Sequence, residues 1–378
     1  MRLRLVFALL IFVSSSVLDR KTAFAESTPI KIGATLAVSG KLAFVGQSQQ
    51  GGLELGIEQV NQSGGIHGRK IVLITEDNVG DPKQAVSGVT KLLNLNSVEI
   101  VFSGLTHITQ AIQGIVESKK KMLIYAAAVG SVAKDNPLFF RDWGDASAGG
   151  KILAEAVQKA GKKRVVFLAE VNDACAELQV AFKKTALELN LELLEEQTYN
   201  PGETDFSSLL LRLARKNPDA LALCTFRDSG RIMTQWKNLG RIGTQSFHTL
   251  APFIPVNDTP DIRSLYEENH SISSWFGFIA DDSEDKQSAF VERFMKKYGE
   301  KPRMEAALAY DDILALADAL RGCVASGPLD LPCVASHLQK KTNLEGVAGR
   351  LSFDENRWAS RQDFLMKVMD GRWTRMSH

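Results

Sequence analysis

Short apolar runs and amphipathic segments alternate along most of this 378-residue chain, and this alternation limits its possible folds more than any other feature. The apolar runs are nearly continuous, as in strands that helices cover on both faces of a parallel sheet. The segments between them have the 3.6-residue period of surface helices. The alternation therefore predicts an α/β fold in which crossover helices join parallel strands.

The predicted elements form two successive groups. The first group lies between residues 30 and 126, and the second resumes after Asp145 and continues to residue 239. The predicted strands of these two groups are 30–38, 71–77, 99–103, 122–126, 164–169, 191–199 and 220–225. We therefore predict two doubly wound parallel-sheet domains, which we call lobe 1 and lobe 2.

The last third of the chain does not predict a third domain. Residues 272–280 have the pattern of an extended segment, 285–298 that of an amphipathic helix, and 303–321 that of a long Ala/Leu helix. Pro302 precedes the long helix, where its missing N–H costs little. These elements suit a return to lobe 1, and a final strand at 363–368 suits a return to lobe 2.

Three glycines, Gly64, Gly65 and Gly68, separate the first predicted helix from the second predicted strand. Glycine tolerates positive φ, so such a run ends a helix and reverses the chain within a few residues. Asp81 and Pro82 then open the next helix, with the proline at a position where helices accept it.

This glycine turn, in its place between helix and strand, resembles that of the type I periplasmic solute-binding proteins of ABC transporters, in the branched-chain amino acid (Leu/Ile/Val-binding) family. Further matching pieces are Ser39-Gly40 with Gly46, Asp81-Pro82, Phe140-Arg141, residues 201–206 and Ala309-Tyr310-Asp311. The resemblance covers nearly all of the chain after residue 25. It implies a Venus-flytrap architecture, in which two lobes close over a ligand about a three-segment hinge.

The resemblance also implies where the chain passes between the lobes. Lobe 1 would comprise residues 26–144 and 279–354, and lobe 2 would comprise residues 145–278 and 355–378. The three linkers would lie near residues 141–145, 278–282 and 353–355. Together they would form the hinge.

The N-terminal 25 residues read as a secretory signal peptide. Arg2 and Arg4 precede an apolar block at 5–13, and Ala23-Phe24-Ala25 supplies small residues for cleavage after Ala25. No cysteine precedes Cys175, so no lipid-anchor cysteine lies near that point. We therefore expect an exported, untethered protein of the periplasm.

Charge and composition argue against several classes of protein. Removing residues 1–25, which hold four basic residues and one acidic residue, would change the formal charge from +1 to −2. A nucleic-acid-binding protein would need a strongly basic face, so no nucleic acid partner is expected. A hydrophobic content of 44% and a charged content of 24% are ordinary for soluble domains. We expect a monomer without cofactor or bound metal.

The four cysteines allow three full pairings. Cys323 and Cys333 flank a short connection that contains glycine and proline, so we predict a local disulfide, which would contribute roughly 2–3 kcal/mol. Cys175 and Cys224 each follow a predicted strand, and either a second disulfide or two free buried thiols suits that placement. No Cys/His spacing indicates zinc.

The sequence contains none of the common catalytic motifs. It has no GxSxG, no HExxH, no phosphate-binding P-loop and no GxGxxG after a strand. Its six histidines are scattered, and its acidic pairs are more typical of helix starts and solvated faces than of metal sites. We therefore expect a binding protein rather than an enzyme.

Ligands of open α/β sheets bind beyond the carboxyl ends of the strands. Helix N-termini converge there, and their unpaired N–H groups and partial positive charge suit an anion such as a carboxylate. The segments that follow suitable strands are 39–46, 103–107, 126–130 and 226–229. We expect the ligand at these four strand ends.

The resemblance to the Leu/Ile/Val-binding proteins implies roles for individual residues of lobe 1. Leu105, Thr106 and His107 match the segment that holds the ligand carboxylate, with Thr106 supplying the hydroxyl. Ala127 matches a backbone carbonyl that helps to hold the ligand, whereas Val129 replaces a threonine. The full set of expected ligand-binding residues is Phe44, Val45, Leu105, Thr106, His107, Ala127, Ala128, Val129, Ala174 and Asp228.

In lobe 2, Asp228 matches a glutamate that faces the ligand ammonium, although an aspartate before a helix is also a common N-cap. Ala174 stands where relatives have a tyrosine that closes over the ligand. Phe44 and Val45 are the nearest matches to an aromatic residue of the first loop. Trp143, near the first linker, suits either the cleft or, as we favour, the packing of the hinge.

The missing threonine hydroxyl and tyrosine remove polar contacts, and an unpaired desolvated group costs ~1–3 kcal/mol. The ligand is therefore not fixed as a branched-chain amino acid; an aromatic or aliphatic carboxylate or an amide also fits. We expect a periplasmic substrate-binding protein of an ABC importer, which delivers an amino-acid-like or carboxylate solute to permease subunits in the inner membrane. The alternative is a sensor of the same fold that acts on a signalling partner.

Overall fold

The computed structural model describes residues 28–129, 132, 135–280, 285–324, 327–341 and 343–376. The predicted signal peptide lies outside the described residues, as do residues 281 and 282 of the second predicted linker. The strands are β1 Ile30–Leu36, β2 Ile71–Asp77, β3 Ile100–Gly104, β4 Met122–Ala126, β5 Phe139–Arg141, β6 Arg164–Glu170, β7 Glu192–Tyr199, β8 Ala220–Cys224, β9 Gln245–Thr249, β10 Ile272–Phe276, β11 Leu344–Gly346, β12 Gly349–Phe353, β13 Ala359–Ser360, β14 Asp363–Met369 and β15 Arg372–Arg375. The α-helices are α1 Ala43–Gln62, α2 Pro82–Asn94, α3 Thr106–Ser118, α4 Ala146–Lys159, α5 Asp173–Glu188, α6 Ser207–Ala214, α7 Ser229–Asn238, α8 Pro260–Glu268, α9 Asp285–Tyr298, α10 Met304–Cys323 and α11 Leu331–Lys340.

The strands form two large sheets and one small one. The first sheet is wholly parallel, in the order β2-β1-β3-β4-β5. The second has the order β15-β14-β10-β9-β8-β6-β7, in which β14 and β15 are antiparallel. The small sheet is β11-β12-β13. The α/β fold predicted from the alternation, with a mainly parallel sheet in each of two lobes, is confirmed.

Lobe 1 is assembled from segments that are distant in sequence. Helix α1 packs against α10, and a Cβ atom on Gly52 would lie 2.1 Å from the carbonyl oxygen of Ala306, so the two helices approach too closely for any larger residue. Leu351 and Phe353 of the small sheet are buried in the same core as Ile32 of β1. The return of the late helices to lobe 1 follows from these contacts.

The glycine turn has the geometry that its sequence predicts. Gly64, Gly65 and Gly68 have φ of 96°, 68° and 84°. A Cβ atom on Gly65 would also lie 2.2 Å from the carbonyl oxygen of Arg69, which a side chain cannot tolerate. The turn therefore depends on glycine for its backbone conformation and, at Gly65, for its close approach.

Several elements escaped the sequence prediction, among them β9, α8 and α11. Strand β9 is buried although it is rich in polar residues. The Ser246 hydroxyl lies 2.7 Å from that of Ser271 and 2.8 Å from Nε2 of His248, so these three side chains are hydrogen-bonded to one another inside the lobe. The extended segment at 272–280 forms β10 only over Ile272–Phe276, and β10 pairs with β9 in the second sheet.

The chain passes between the two large sheets at three places. The first passage lies between Arg141 and Ala146, and the second follows Phe276. β13 still pairs with β12, and β14 begins at Asp363, so we place the third passage at residues 361–362 rather than at 353–355. The exact lobe boundaries remain our proposal.

Within the part of the chain that the structure describes, no helix combines the length and the apolar character needed to cross a membrane.

Candidate ligand-binding cleft

A cavity of about 80 Å³ lies beside strands β8, β9 and β10 of lobe 2, and it is closed on the lobe 1 side by Ala128 and by the first linker. Ala128, which follows β4, lies on its wall opposite Cys224 of β8, Thr249 of β9 and Ser274 of β10. Residues after parallel strands of the two lobes therefore face each other, as ligand sites of open α/β sheets require. We call this the interlobe cavity.

An aromatic cluster joins the two lobes beside the interlobe cavity. The ring of Phe253, in lobe 2, has its centroid 6.2 Å from that of Phe44 in lobe 1, and 5.6 Å from that of Phe226. Trp143 of the first linker is 5.7 Å from Phe253 and 5.3 Å from Phe276. Trp143 also lines the cavity, so the two roles considered for it are compatible.

The rim of lobe 1 is built around the start of α3. Thr106 is the first residue of this helix, and its hydroxyl oxygen accepts a hydrogen bond of 3.2 Å from the backbone N–H of Ala128. No side chain caps the helix, and Leu105 just before it has a φ of 70°. A leucine in that backbone region costs ~1–3 kcal/mol, and such strain is concentrated at functional sites. The uncapped helix end offers N–H groups and partial positive charge.

The other residues expected in lobe 1 are placed differently. Val45, Ala127 and Val129 are 2%, 2% and 4% exposed, with their side chains in the core. The exposed imidazole of His107 has its Nε2 3.2 Å from the carbonyl oxygen of Gly80. The structure thus brings Thr106 and Ala128 together at the rim, and it turns His107 towards the loop after β2.

In lobe 2, Ala174 lines the interlobe cavity and packs against the core cluster of lobe 1 that holds Ala127 and Val129. The next residue, Cys175, is joined by a disulfide to Cys224, which also lines the cavity. A second disulfide joins Cys323 to Cys333, away from the cleft in sequence and space. The first disulfide fastens the start of α5 to the end of β8.

Asp228 is paired within its own lobe. Its carboxylate lies 3.1 Å from Nη1 of Arg231 and 3.4 Å from the hydroxyl of Tyr199. It occupies the N-cap position of α7, but its side chain makes no capping bond. Burial raises the pKa of Asp228, and Arg231 opposes this rise. Nearby, Glu170 accepts a 2.6 Å hydrogen bond from the N–H of Phe226, and burial raises its pKa as well.

Sequence reasoning missed four polar residues on the wall of the interlobe cavity: Asp145, Thr249, Ser274 and Asp363. Burial, followed by the nearby Asp145 carboxylate, raises the pKa of Asp363 to about 6. Asp363 begins the antiparallel strand β14, so it stands beside the carboxyl end of parallel β10, opposite Phe276. The sequence predicted β14 as a strand, but it did not predict the antiparallel pairing that places Asp363 at the cavity.

A buried ion cluster ties the first and third passages together. Nε of Arg361 lies 3.1 Å from a carboxylate oxygen of Asp142, and its Nη1 lies 3.0 Å from Asp311. Asp311 in turn accepts hydrogen bonds of 2.8 and 2.9 Å from the N–H groups of Val347 and Ala348. This cluster fixes the linkers relative to the long helix α10 of lobe 1.

The family model described as periplasmic binding protein matches residues 29–372 of this chain. Among curated proteins, the Leu/Ile/Val-binding protein homolog 7 of Brucella melitensis is 24% identical over 375 residues, covering 92% of this chain and 90% of its own. The leucine-, isoleucine-, valine-, threonine- and alanine-binding protein of Pseudomonas aeruginosa is 23% identical over 350 residues and covers 89% of each chain.

Solved structures show the same architecture. The branched-chain amino acid transporter substrate-binding protein of Streptococcus pneumoniae, in complex with isoleucine, superposes with a TM-score of 0.78 at 25% identity, over 92% of this chain and 98% of its own. The solute-binding protein of an ABC transporter from Rhodopseudomonas palustris, in complex with 3,4-dihydroxybenzoic acid, has a TM-score of 0.75 at 20% identity, over 91% and 95%. With the family match over nearly the whole described chain, these findings show that the protein is a type I periplasmic binding protein of the branched-chain amino acid family, whose members bind substrates and are not enzymes.

Proposed function

We propose that the protein is the substrate-binding component of an ABC importer, which binds a small amino-acid-like or carboxylate solute between its lobes and delivers it to permease subunits in the inner membrane. The observation that carries the proposal is the interlobe cavity, whose wall combines Ala128, after β4 of lobe 1, with residues of β8, β9 and β10 of lobe 2. We also propose that the chain is exported, is cleaved after Ala25 and acts as a monomer.

The solute would dock first on lobe 1. Its carboxylate would accept hydrogen bonds from Thr106 and from the uncapped N–H groups at the start of α3. Rotation about the linkers would then bring Ala174 and the aromatic side chains of lobe 2 over it. Contacts that exist only in the closed form shift the open–closed equilibrium, by no more than the difference in affinity between the two forms. The permease would recognise the closed form.

Two groups of compounds deserve priority as ligands. The names of the relatives point to aliphatic α-amino acids, and the R. palustris complex shows that a protein with this fold also accommodates an aromatic acid. The ring cluster of Phe44, Phe226 and Phe253 favours a solute with an apolar or aromatic body.

A thermal-shift screen of the mature protein tests the proposal. The screen covers the twenty amino acids, their amides, and aromatic and aliphatic acids. A specific ligand at 100 times its Kd should add ~2.7 kcal/mol to the free energy of unfolding. Thr106→Ala should weaken binding of any carboxylate that is found. A panel without a stabilising compound, or chemical turnover of a compound, would overturn the proposed role.

A further inference from the structure

We propose that the interlobe cavity contains a subsite for a primary amino group of the solute, with Asp363 as the anionic acceptor and the Thr249 and Ser274 hydroxyls as further acceptors. This inference rests on the proposed function, because it assumes that a small solute occupies the cleft. It assigns the positive end of that solute to a residue that the sequence did not suggest.

The cavity has the size and the unpaired polar groups of a binding subsite. Its volume of about 80 Å³ is several times the ~10–15 Å³ that one water molecule needs. The hydroxyl oxygen of Thr249 is buried without a hydrogen-bond partner. Ser274 is only 5% exposed, and its hydroxyl makes no hydrogen bond to another described residue. Buried polar groups are normally paired, so the Thr249 hydroxyl indicates a missing partner, and Ser274 lies on the wall of the same cavity.

The charges around the cavity leave Asp363 as its uncompensated group. Asp145, the nearest carboxylate, accepts hydrogen bonds from the backbone at the start of α4 and pairs with Arg141 at 2.9 Å. Asp363 has no ion pair with any residue in the described ranges, whereas Asp228 already has Arg231. A cation at Asp363 would supply the missing charge. An amino group also matches three oxygen acceptors, because a protonated amine has three N–H donors and no acceptor.

The walls also suit an ammonium group. Trp143, Trp275 and Phe276 line the cavity around Asp363. Aromatic faces attract a cation within about 6 Å of the ring centroid, and more strongly where water is excluded. A carboxylate placed here would meet three aromatic side chains and an anion. The negative end of the solute is therefore better placed towards Ala128, whose backbone N–H donates to Thr106 at the start of α3.

Calorimetry with two matched pairs of compounds tests the subsite. The pairs are L-leucine with 4-methylpentanoate and L-phenylalanine with 3-phenylpropanoate, in which the second member lacks only the amino group. The amino acid of at least one pair should bind roughly tenfold to a hundredfold more tightly than its acid at pH 7.5, because a charge-assisted hydrogen bond is gained. Asp363→Asn should remove that preference, chiefly by weakening the binding of the amino acid.

The matched control is Asp370→Asn, an exposed residue just after the far end of the same strand, which should leave both affinities unchanged. Equal binding of both members of each pair, or a preference that survives Asp363→Asn, would overturn the subsite while the proposed function stands. A preference lost in Asp228→Asn instead would move the amino group to Asp228 and overturn the assignment. If neither pair binds, the two priority groups of ligands are excluded and the subsite fails with them, whereas the thermal-shift screen still decides the proposed function.

A second measurement does not depend on these compounds. The carboxyl carbon of Asp363 can be followed by NMR while n-butylammonium chloride is added, with sodium chloride at the same ionic strength as the reference. Occupation of the subsite should move this signal and lower the pKa of Asp363, because a nearby cation favours the ionised carboxyl. An Asp363 signal that responds equally to both salts would contradict the subsite.

Discussion

The two rims of the cleft differ in the chemistry that they present. The rim of lobe 1 carries the Thr106 hydroxyl and the uncapped start of α3, which together offer hydrogen-bond donors and partial positive charge. The rim of lobe 2 carries three carboxylates, on Glu170, Asp228 and Asp363, and burial raises the pKa of each. The comparison teaches that a solute with separate negative and positive ends has one favourable orientation between the lobes.

The two rims also differ in how they are held. The lobe 1 rim is fixed by local hydrogen bonds, such as that from Ala128 N–H to Thr106, and it includes Leu105 in a strained backbone conformation. The lobe 2 rim relies on a long-range covalent link, the Cys175–Cys224 disulfide, across 49 residues of chain. The hinge cluster around Arg361 keeps the two rims opposite each other.

The largest expected effect comes from separating the rims at the hinge. Arg361→Met would leave Asp142 and Asp311 buried without their cation, which should cost ~3–5 kcal/mol in the free energy of unfolding. Urea denaturation followed by circular dichroism measures this loss. Arg372→Met, on exposed β15, is the control and should change stability by no more than about 0.5 kcal/mol. If both variants changed the free energy of unfolding equally, the ion cluster would not be a main source of stability.

The two disulfides should both stabilise the fold, but only one of them should affect ligand binding. On the loop-entropy model, loops of 49 and 10 residues give stabilisations of about 4 and about 2.7 kcal/mol. Replacing both cysteines of either pair by serine should therefore lower stability in each case. Only loss of Cys175–Cys224, which bears on Ala174 and the cavity wall, should also weaken ligand binding in calorimetry. An unchanged affinity in that variant would show that the lobe 2 rim does not need the link.

The pH dependence of ligand affinity should distinguish the two rims, because it follows the ionisation of Asp363. The pKa of Asp363 is raised to about 6 in the folded protein, so its carboxyl is mostly protonated at pH 5. The affinity for an amine-bearing solute should fall roughly tenfold from pH 7 to pH 5, because the proton competes with the ammonium group. The charged groups near Asp363 are Asp145 and its partner Arg141, and β10 contributes none.

Ionisation of Asp363 should have opposite effects on binding and on stability: it strengthens the binding of an amine but destabilises the ligand-free protein. A carboxyl whose pKa is raised by folding makes the free energy of unfolding fall as pH rises from about 4 to about 6. Above that window the ionised Asp363 is destabilising, so Asp363→Asn should stabilise the ligand-free protein at pH 7.5 by ~1–3 kcal/mol. Thermal unfolding at pH 4 and pH 7.5 measures the difference. A variant that is less stable at pH 7.5 would mean that the carboxylate has a structural partner.

The smallest effect is expected at the lobe 1 rim. Thr106→Val keeps the branched shape but removes an acceptor for Ala128 N–H and a donor for the ligand carboxylate. The loss should be ~1–2 kcal/mol in binding, or about a tenfold weaker Kd. It should fall equally on amino acids and on the acids that lack the amino group. A loss confined to the amino acids would place Thr106 at the positive end of the solute.

Much of the fold was predictable because most of its buried positions are apolar, so the hydropathy pattern reveals which positions are buried. The bounds of β2, β4 and α9 match the predicted segments, since apolar runs or amphipathic periods mark each of them. Strand β9 was missed because it buries a serine and a histidine that are hydrogen-bonded to each other, so its hydropathy does not reveal its burial.

The site was less predictable than the fold. Thr106, Ala128 and Ala174 follow strands or begin helices, and strand ends can be read from the sequence. The orientation of the Asp228 side chain depends on its contact with Tyr199, which is 29 residues away. The position of Asp363 depends on the antiparallel pairing of β14. Such features arise from tertiary packing, which a pattern of residue types does not encode.

The orientation of the solute is tested most directly by a crystal structure of the protein with the amino acid that gives the largest thermal shift. The account predicts the carboxylate at the Thr106 hydroxyl and the first turn of α3, with the amino nitrogen within hydrogen-bonding distance of Asp363. An amino group at Asp228, a reversed solute, or a ligand bound outside the interlobe cavity would contradict it.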